Sequence, residues 1–308
     1  MENTNQRKRK RSFAKLLGDR QLYLMLLPGL LLILLFKLMP LSKITIAFQN
    51  FRPLKGIAGS DWVGLANFQK LFTDAEVWRV ISNTVEINIL QILFAIPLPM
   101  LMAVMINEIT CKSLKKGIQT IIYIPHFFTW VVVYSVFYIV FGSGGVINTV
   151  VHALGGDTVL FFMNNGWFRF LLVFSDVWFS AGWGTIVYLA AITAIDEEIF
   201  DAAIVDGASR LKRIRYIIIP YLVPTLLLML SIRLGKIMTS GFDQVLAFYN
   251  PTVYEKGDII STYVYRTGIG QANFSYATAV GFFNSLVGLL LVGVSNLMSK
   301  QMTGQSVW

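Results

Sequence analysis

Ile195-Asp196-Glu197-Glu198-Ile199-Phe200-Asp201-Ala202-Ala203-Ile204-Val205-Asp206-Gly207-Ala208-Ser209-Arg210-Leu211-Lys212-Arg213 joins two long apolar stretches and enters the second of them at Ile217-Ile218-Ile219-Pro220. The segment starts acidic, becomes small and apolar, breaks at Gly207 and ends basic. Acidic residues at a helix start and basic residues at its end both complement the helix dipole. Gly207 is free to take a positive φ. The pattern predicts a short helix, a glycine break and a second helix running into the membrane. Ala202 and Ala203 leave room for close approach by another protein surface. A short helix bearing small and apolar residues across a membrane face needs something to bury it. At this point the burying surface is open: a protein groove, or the lipid surface itself, as for an ordinary amphipathic connector.

The flanking chain sets the solvent. Of 308 residues, 55% are hydrophobic and 14% charged, with mean hydropathy +0.62. Roughly a quarter of a soluble domain is charged. The charge is missing from stretches of about twenty residues, the length that crosses a bilayer as a helix. The expected fold is an all-α polytopic membrane protein with six transmembrane helices at about 22–47, 83–106, 120–141, 168–192, 216–238 and 276–298. Each is apolar all round rather than along one stripe. Pro28, Pro40, Pro97, Pro99, Pro125, Pro220 and Pro224 lie in or near them and imply kinks or helix starts. The expected organisation is a basic tail at 1–20, a membrane domain at 21–300 containing the 194–215 loop, and a short tail at 301–308.

Arg7-Lys8-Arg9-Lys10-Arg11 resembles the start of a signal peptide, but the apolar run from Leu22 is long and has no small-residue cleavage site. It reads as an uncleaved first helix. With the N-terminus inside, Arg7 to Arg11, Lys15, Arg20, Lys112, Lys115, Lys116, Arg210, Lys212, Arg213, Arg215 and Lys300 are cytoplasmic. Only Arg52, Lys55, Lys70, Arg79, Lys256 and Arg266 then fall outside. This imbalance predicts that both termini are cytoplasmic. It also explains the net charge of +9 without nucleic acid. Segments 142–156 and 243–272 are then expected to face outward. Cys111 is the only cysteine, and His126 and His152 have no second ligand at metal-site spacing, so no metal site is expected.

The quoted loop resembles the EAA loop of binding-protein-dependent ABC importer permeases, whose pattern is Glu-Ala-Ala, three residues, Gly, and later Leu-Pro. Asp201-Ala202-Ala203 and Gly207 match in place, and Ile219-Pro220 stands where Leu-Pro is usual. Asp201 departs from Glu by keeping the charge and shortening the reach. Leu26-Leu27-Pro28-Gly29, Ile46 to Phe51, Trp62 to Phe68, Gly182-Trp183-Gly184, Thr262 to Arg266 and Ser306-Val307-Trp308 resemble the sugar-permease branch, maltose-type, that handles polysaccharide-derived oligosaccharides, acidic ones among them. The resemblance implies a type I importer permease paired with a second homologous permease, two ATPase subunits and an extracytoplasmic solute-binding protein. It assigns ATPase coupling to Asp201, Ala202, Ala203, Asp206 and Gly207. ATP and Mg would be bound by the ATPase. Gly142-Ser143-Gly144-Gly145 lacks the Gly-Lys-Ser/Thr of a phosphate-binding loop, so this chain is expected to be a non-catalytic subunit with no cofactor of its own.

Ionisable residues inside spans are functional candidates by default. Glu86, Asp176, Arg233 and Lys236 qualify. Arg233 and Lys236 are three apart and would share a helix face, where two cations suit an anionic sugar. Arginine adds a two-pronged match to a carboxylate. Pairing of these cations with Asp176, Glu86 or the second permease is the competing expectation. Phe127, Phe128, Trp130, Trp178 and Trp183 could stack on sugar faces, or simply anchor interfaces. Two other functions compete. An ion-gradient transporter with Asp176 or Glu86 as its proton site would leave the loop without a role, and no internal repeat is evident. A membrane enzyme lacks a His, Cys or Asp cluster.

Overall fold

A computed structural model of the chain describes residues 20–303. The Arg7–Arg11 run and the Ser306-Val307-Trp308 ending lie outside the described residues. Fifteen helices are described: α1 (Arg20–Ile33), α2 (Ala66–Thr73), α3 (Ala75–Ala95), α4 (Pro97–Asn107), α5 (Lys112–Tyr123), α6 (Trp130–Phe141), α7 (Val146–Ala153), α8 (Asn165–Thr193), α9 (Glu197–Val205), α10 (Arg210–Arg213), α11 (Ile219–Gly235), α12 (Phe242–Phe248), α13 (Tyr254–Gly257), α14 (Ile260–Tyr265) and α15 (Phe274–Thr303). Among the described residues, six segments are long and apolar enough to cross a membrane: Gln21–Phe48, Ala75–Asn107, Trp130–Ala153, Asn165–Thr193, Arg210–Gly235 and Phe274–Leu297.

One cap and several prolines account for where these segments depart from the expected boundaries. The second span starts at Ala75, capped by the Asp74 carboxylate, which accepts from the Glu76 N–H at 2.9 Å. It is interrupted at Ile96, because Pro97 has no N–H to continue the ladder. The expected third span at 120–141 is not one helix. Pro125 ends α5 through a tight turn at Ile124–Phe127, Phe128 and Thr129 are extended, and α6 restarts at Trp130. In the fifth span Pro220 would clash with the carbonyl of Tyr216. A wide π turn at Ile214–Ile218 relieves this, so the helix runs from Arg210 to Gly235 without a break.

α8 is the central helix and packs on α3, α4, α5 and α11. Its close approaches explain Gly182-Trp183-Gly184. A Cβ on Gly182 would lie 1.9 Å from the Ile122 carbonyl oxygen, and one on Gly184 would lie 2.9 Å from Pro99 Cβ. Small residues at such crossings let backbones touch. The 46–51 and 62–68 motifs form one unit: Gln49–Asn50 pairs antiparallel with Asp61–Trp62, and the Asn67 amide donates to the Ala47 carbonyl at 2.8 Å. Segment 243–272, expected to face outward, is largely helical and packs against the bundle. Left-handed Gly241 (φ 89°) starts α12, whose Gln244 side chain donates to the Leu172 carbonyl (2.6 Å) and Ser175 hydroxyl (2.8 Å) of α8 and accepts from Gln91 of α3 (2.9 Å). Three glutamine bonds satisfy polar groups that lipid could not. By contrast, residues 21–41 of the first span are exposed throughout.

Candidate functional site

The 194–215 loop folds as its sequence predicts: α9, a glycine turn, then α10. Asp196 caps α9, its side chain accepting from the Glu198 N–H at 3.0 Å, and Glu197 and Glu198 occupy the first turn. The other end is a Schellman turn. The Ala208 N–H donates to the Ala203 carbonyl at 2.9 Å, the Gly207 N–H to the Ile204 carbonyl at 3.0 Å, and Gly207 is left-handed at φ 72°. Ser209 then caps α10. Asp206 is the last residue before the turn.

Phe200 pins α9 to a core of Ala103, Ile106, Tyr188, Ile192, Ile218 and Leu222. The rest of the loop projects. Asp201, Ala202, Asp206 and Gly207 are exposed and Ala203 is half-buried. Ile204 is 53%, Val205 88% and Leu211 78% exposed. This face combines open apolar side chains with acidic and basic ends, and no residue of α9 is buried. The patch stands clear of the apolar core at this end of the bundle.

The intramembrane charges fall into two groups. Asp176 of α8, 8% exposed, pairs with Arg233 of α11 at 3.3 Å. Glu86 of α3 sits elsewhere. It pairs with Arg169, near the start of α8 and about 10 Å along the helix from Asp176 at 1.5 Å per residue. Arg169 also donates to the Asn83 side chain (2.7 Å) and the Lys256 carbonyl (3.0 Å), tying α3, α8 and α13 together. Lys236 does not share a helix face with Arg233. The helix ends at Gly235, and Lys236 is its exposed cap residue at φ −102°, ψ 2°. Trp178 packs half-buried in an aromatic core, 5.8 Å from the Phe137 ring.

The other aromatics gather where α5 breaks into α6. His126 stacks on Trp183 (4.8 Å, 14° between planes), and Trp130 stacks on Phe179 (4.5 Å). Trp183 is 54% and Phe127 80% exposed. Asp176, Phe179 and Trp183 recur at helical spacing, so the ion pair and this aromatic surface share a face of α8.

Sequence reasoning missed two groups. Arg169 lies within the fourth predicted span and carried the same signal as Asp176. Arg266, at the end of the Thr262 to Arg266 motif, binds Glu76 (2.9 Å) and Asp258 (2.8 Å) and lies 4.2 Å over the Tyr254 ring. Asp258 has no exposed side chain. Burial pushes its carboxyl above the usual carboxylate range, against the pull of the Thr262 hydroxyl and Arg266. Asp74 is the opposite case. Burial pushes it up, but hydrogen bonds from the Tyr276 hydroxyl (2.7 Å), the Glu76 N–H and the Tyr263 hydroxyl (3.3 Å) outweigh that and hold it below its usual value. Burial pushes the Tyr263 hydroxyl up to about 12.

The chain is 41% identical over 302 residues to the polygalacturonan/rhamnogalacturonan transport system permease protein YteP of Bacillus subtilis (strain 168), covering 98% of this chain and 94% of that protein. Its fold matches a chain of a bacterial ABC transporter involved in the import of the acidic polysaccharide alginate, with TM-score 0.87, 39% identity, and coverage of 95% of this chain and 99% of that one. A second crystal structure, of a bacterial alginate ABC transporter in complex with an alginate pentasaccharide-bound periplasmic protein, matches with TM-score 0.87 at 38% identity, covering 96% and 99%. The model of the family described as binding-protein-dependent transport system inner membrane component matches residues 95–304. With the six apolar helices and the capped, projecting loop, these matches make the chain a member of that family of transport-system permeases, with the type I ABC importer fold.

Proposed function

We propose that this chain is one of two permeases of an ATP-driven importer for an acidic oligosaccharide, and that α9 with its glycine turn docks into the ATPase and transmits its closure. The projecting α9 loop carries this reading: its backbone is satisfied by caps at both ends while Ile204, Val205 and Leu211 are left open. ATP hydrolysis belongs to the ATPase subunits, and this chain is the non-catalytic path. The loop lies on the cytoplasmic side, as Arg210, Lys212, Arg213 and Arg215 favour, and both termini share that side. An extracytoplasmic binding protein delivers the sugar at the opposite end.

The names of the relatives, and one face of α8, support an acidic substrate. Sugar rings stack on the aromatic surface around Trp183 and Phe179, while Arg233 receives a uronate carboxylate. Lys236, exposed just beyond the helix end, adds positive charge to the same end of α11. Glu86, held by Arg169, and Trp178, within the aromatic core, support the walls of this path. An in-frame deletion of this chain in its native strain tests the substrate. The account expects loss of uptake of labelled oligogalacturonate or oligoalginate, with uptake of neutral disaccharides unchanged. Undiminished uptake of both acidic sugars would refute it.

A further inference from the structure

α8 and α11 are the two helices that enter and leave the α9 loop, and they are joined in two different ways. Near the loop they share an apolar core in which Tyr188, Leu189 and Ile192 pack with Ile218 and Leu222. Far from it, Asp176–Arg233 is the one side-chain hydrogen bond or ion pair between them among the described residues. The pair lies about 25 Å from the loop along α8 at 1.5 Å per residue.

This pair is underfilled. A carboxylate offers about four acceptor positions and a guanidinium five donors. Here one N–H meets one oxygen at 3.3 Å, and neither side chain has a further polar partner among the described residues. The Arg233 side chain is 32% exposed and Asp176 12%. A structural pair between membrane helices is expected to be closed and saturated, because unfilled capacity is costly there. An arginine with open donors and a single contact can exchange one carboxylate for another.

We propose that Asp176 is a stand-in for the substrate carboxylate: with no sugar bound it straps α8 to α11 through Arg233, and the arriving uronate takes Arg233, releases the strap and lets the two helices move apart at the end remote from α9. The apolar core near the loop acts as the pivot, so the release reaches the ATPase surface as a change in the angle at which α9 is presented. Substrate occupancy and ATPase turnover are thereby coupled through one exchangeable ion pair. This rests on the acidic-substrate reading above.

The test is ATPase activity of the complete transporter in proteoliposomes with its binding protein. The probes are oligogalacturonate and its uncharged methyl ester. In the parent, the acid is expected to stimulate at least about fivefold more than the ester. Asp176→Asn is nearly isosteric and takes the charge out of the strap, leaving at most a weak neutral hydrogen bond, so basal activity without sugar is expected to rise severalfold and the remaining stimulation to shrink. Arg233→Gln removes the cation that the uronate is proposed to take, and is expected to lose the advantage of the acid over the ester. A retained advantage of the acid in Arg233→Gln, or unchanged basal activity in Asp176→Asn, would overturn the proposal alone. Equal stimulation of the parent by acid and ester would overturn the acidic-substrate reading, and the proposal with it.

Discussion

Gly207→Ala isolates the glycine turn from every other property of the loop. Gly207 is left-handed at φ 72°, and a Cβ there would meet nothing within 4 Å. The substitution therefore adds no clash with neighbours and leaves only backbone strain, roughly 1–2 kcal/mol for an L-residue in this region. α9 is nine residues long with none buried, so the free permease can relieve the strain by fraying the turn. Docking must restore the turn, and the strain then appears as lost affinity for the ATPase, roughly 5- to 30-fold. Asparagine tolerates the left-handed region, so Gly207→Asn should lose much less. Titration of purified ATPase subunits onto the solubilised permease pair measures both. Gly207→Ala binding as tightly as the parent, or Gly207→Asn binding as weakly as Gly207→Ala, would refute the reasoning.

Three further expectations concern the scaffold. Arg266→Ala leaves Asp258 fully buried without its cation and should destabilise the permease by about 3–5 kcal/mol, with Asp258→Asn in the same chain recovering part of it; thermal unfolding of the purified complex reads both. Gly182→Ala drives a methyl into the Ile122 carbonyl at 1.9 Å and should cost about 1–3 kcal/mol or more, whereas Gly29→Ala meets nothing within 4 Å and should be neutral by the same assay. Because Asp74 is held below its usual value of 3.8, its carboxylate stabilises the fold above that pH and the stabilisation is lost as pH falls through the folded value. Asp74→Asn should therefore be less stable than the parent at pH 6, with the gap closing below pH 3.8; a gap independent of pH would contradict this.

The α9 loop was the most legible part of the chain, because its signals are local. Asp196, the first-turn acids, Gly207 and Ser209 each act on backbone groups within a few residues. Composition likewise found the apolar segments, since lipid demands runs of about twenty residues whatever their packing. What the sequence concealed depends on distant partners. Thr120 to Phe141 carries no Asp, Glu, Lys or Arg to mark an interruption, and Pro125 alone did not say whether the chain would kink or break. The Gln244 amide is satisfied by α3 and α8, residues 69 to 153 positions away, so its segment looked like a loop. Lys236 and Arg233 have the spacing of one helix face, but the helix stops between them. Arg169 was as visible as Asp176, and its partner Glu86 was named without it.

The most direct test of the central claim is transport by the purified complex of this chain, its partner permease and the ATPase, reconstituted in vesicles with ionophores that collapse every ion gradient. The account predicts that ATP on the loop side and sugar-loaded binding protein on the other drive uptake, and that exchanging Asp201 and Gly207 together abolishes it while the ATPase subunits remain intact. Uptake that proceeds without ATP and stops when the proton gradient is collapsed would contradict it.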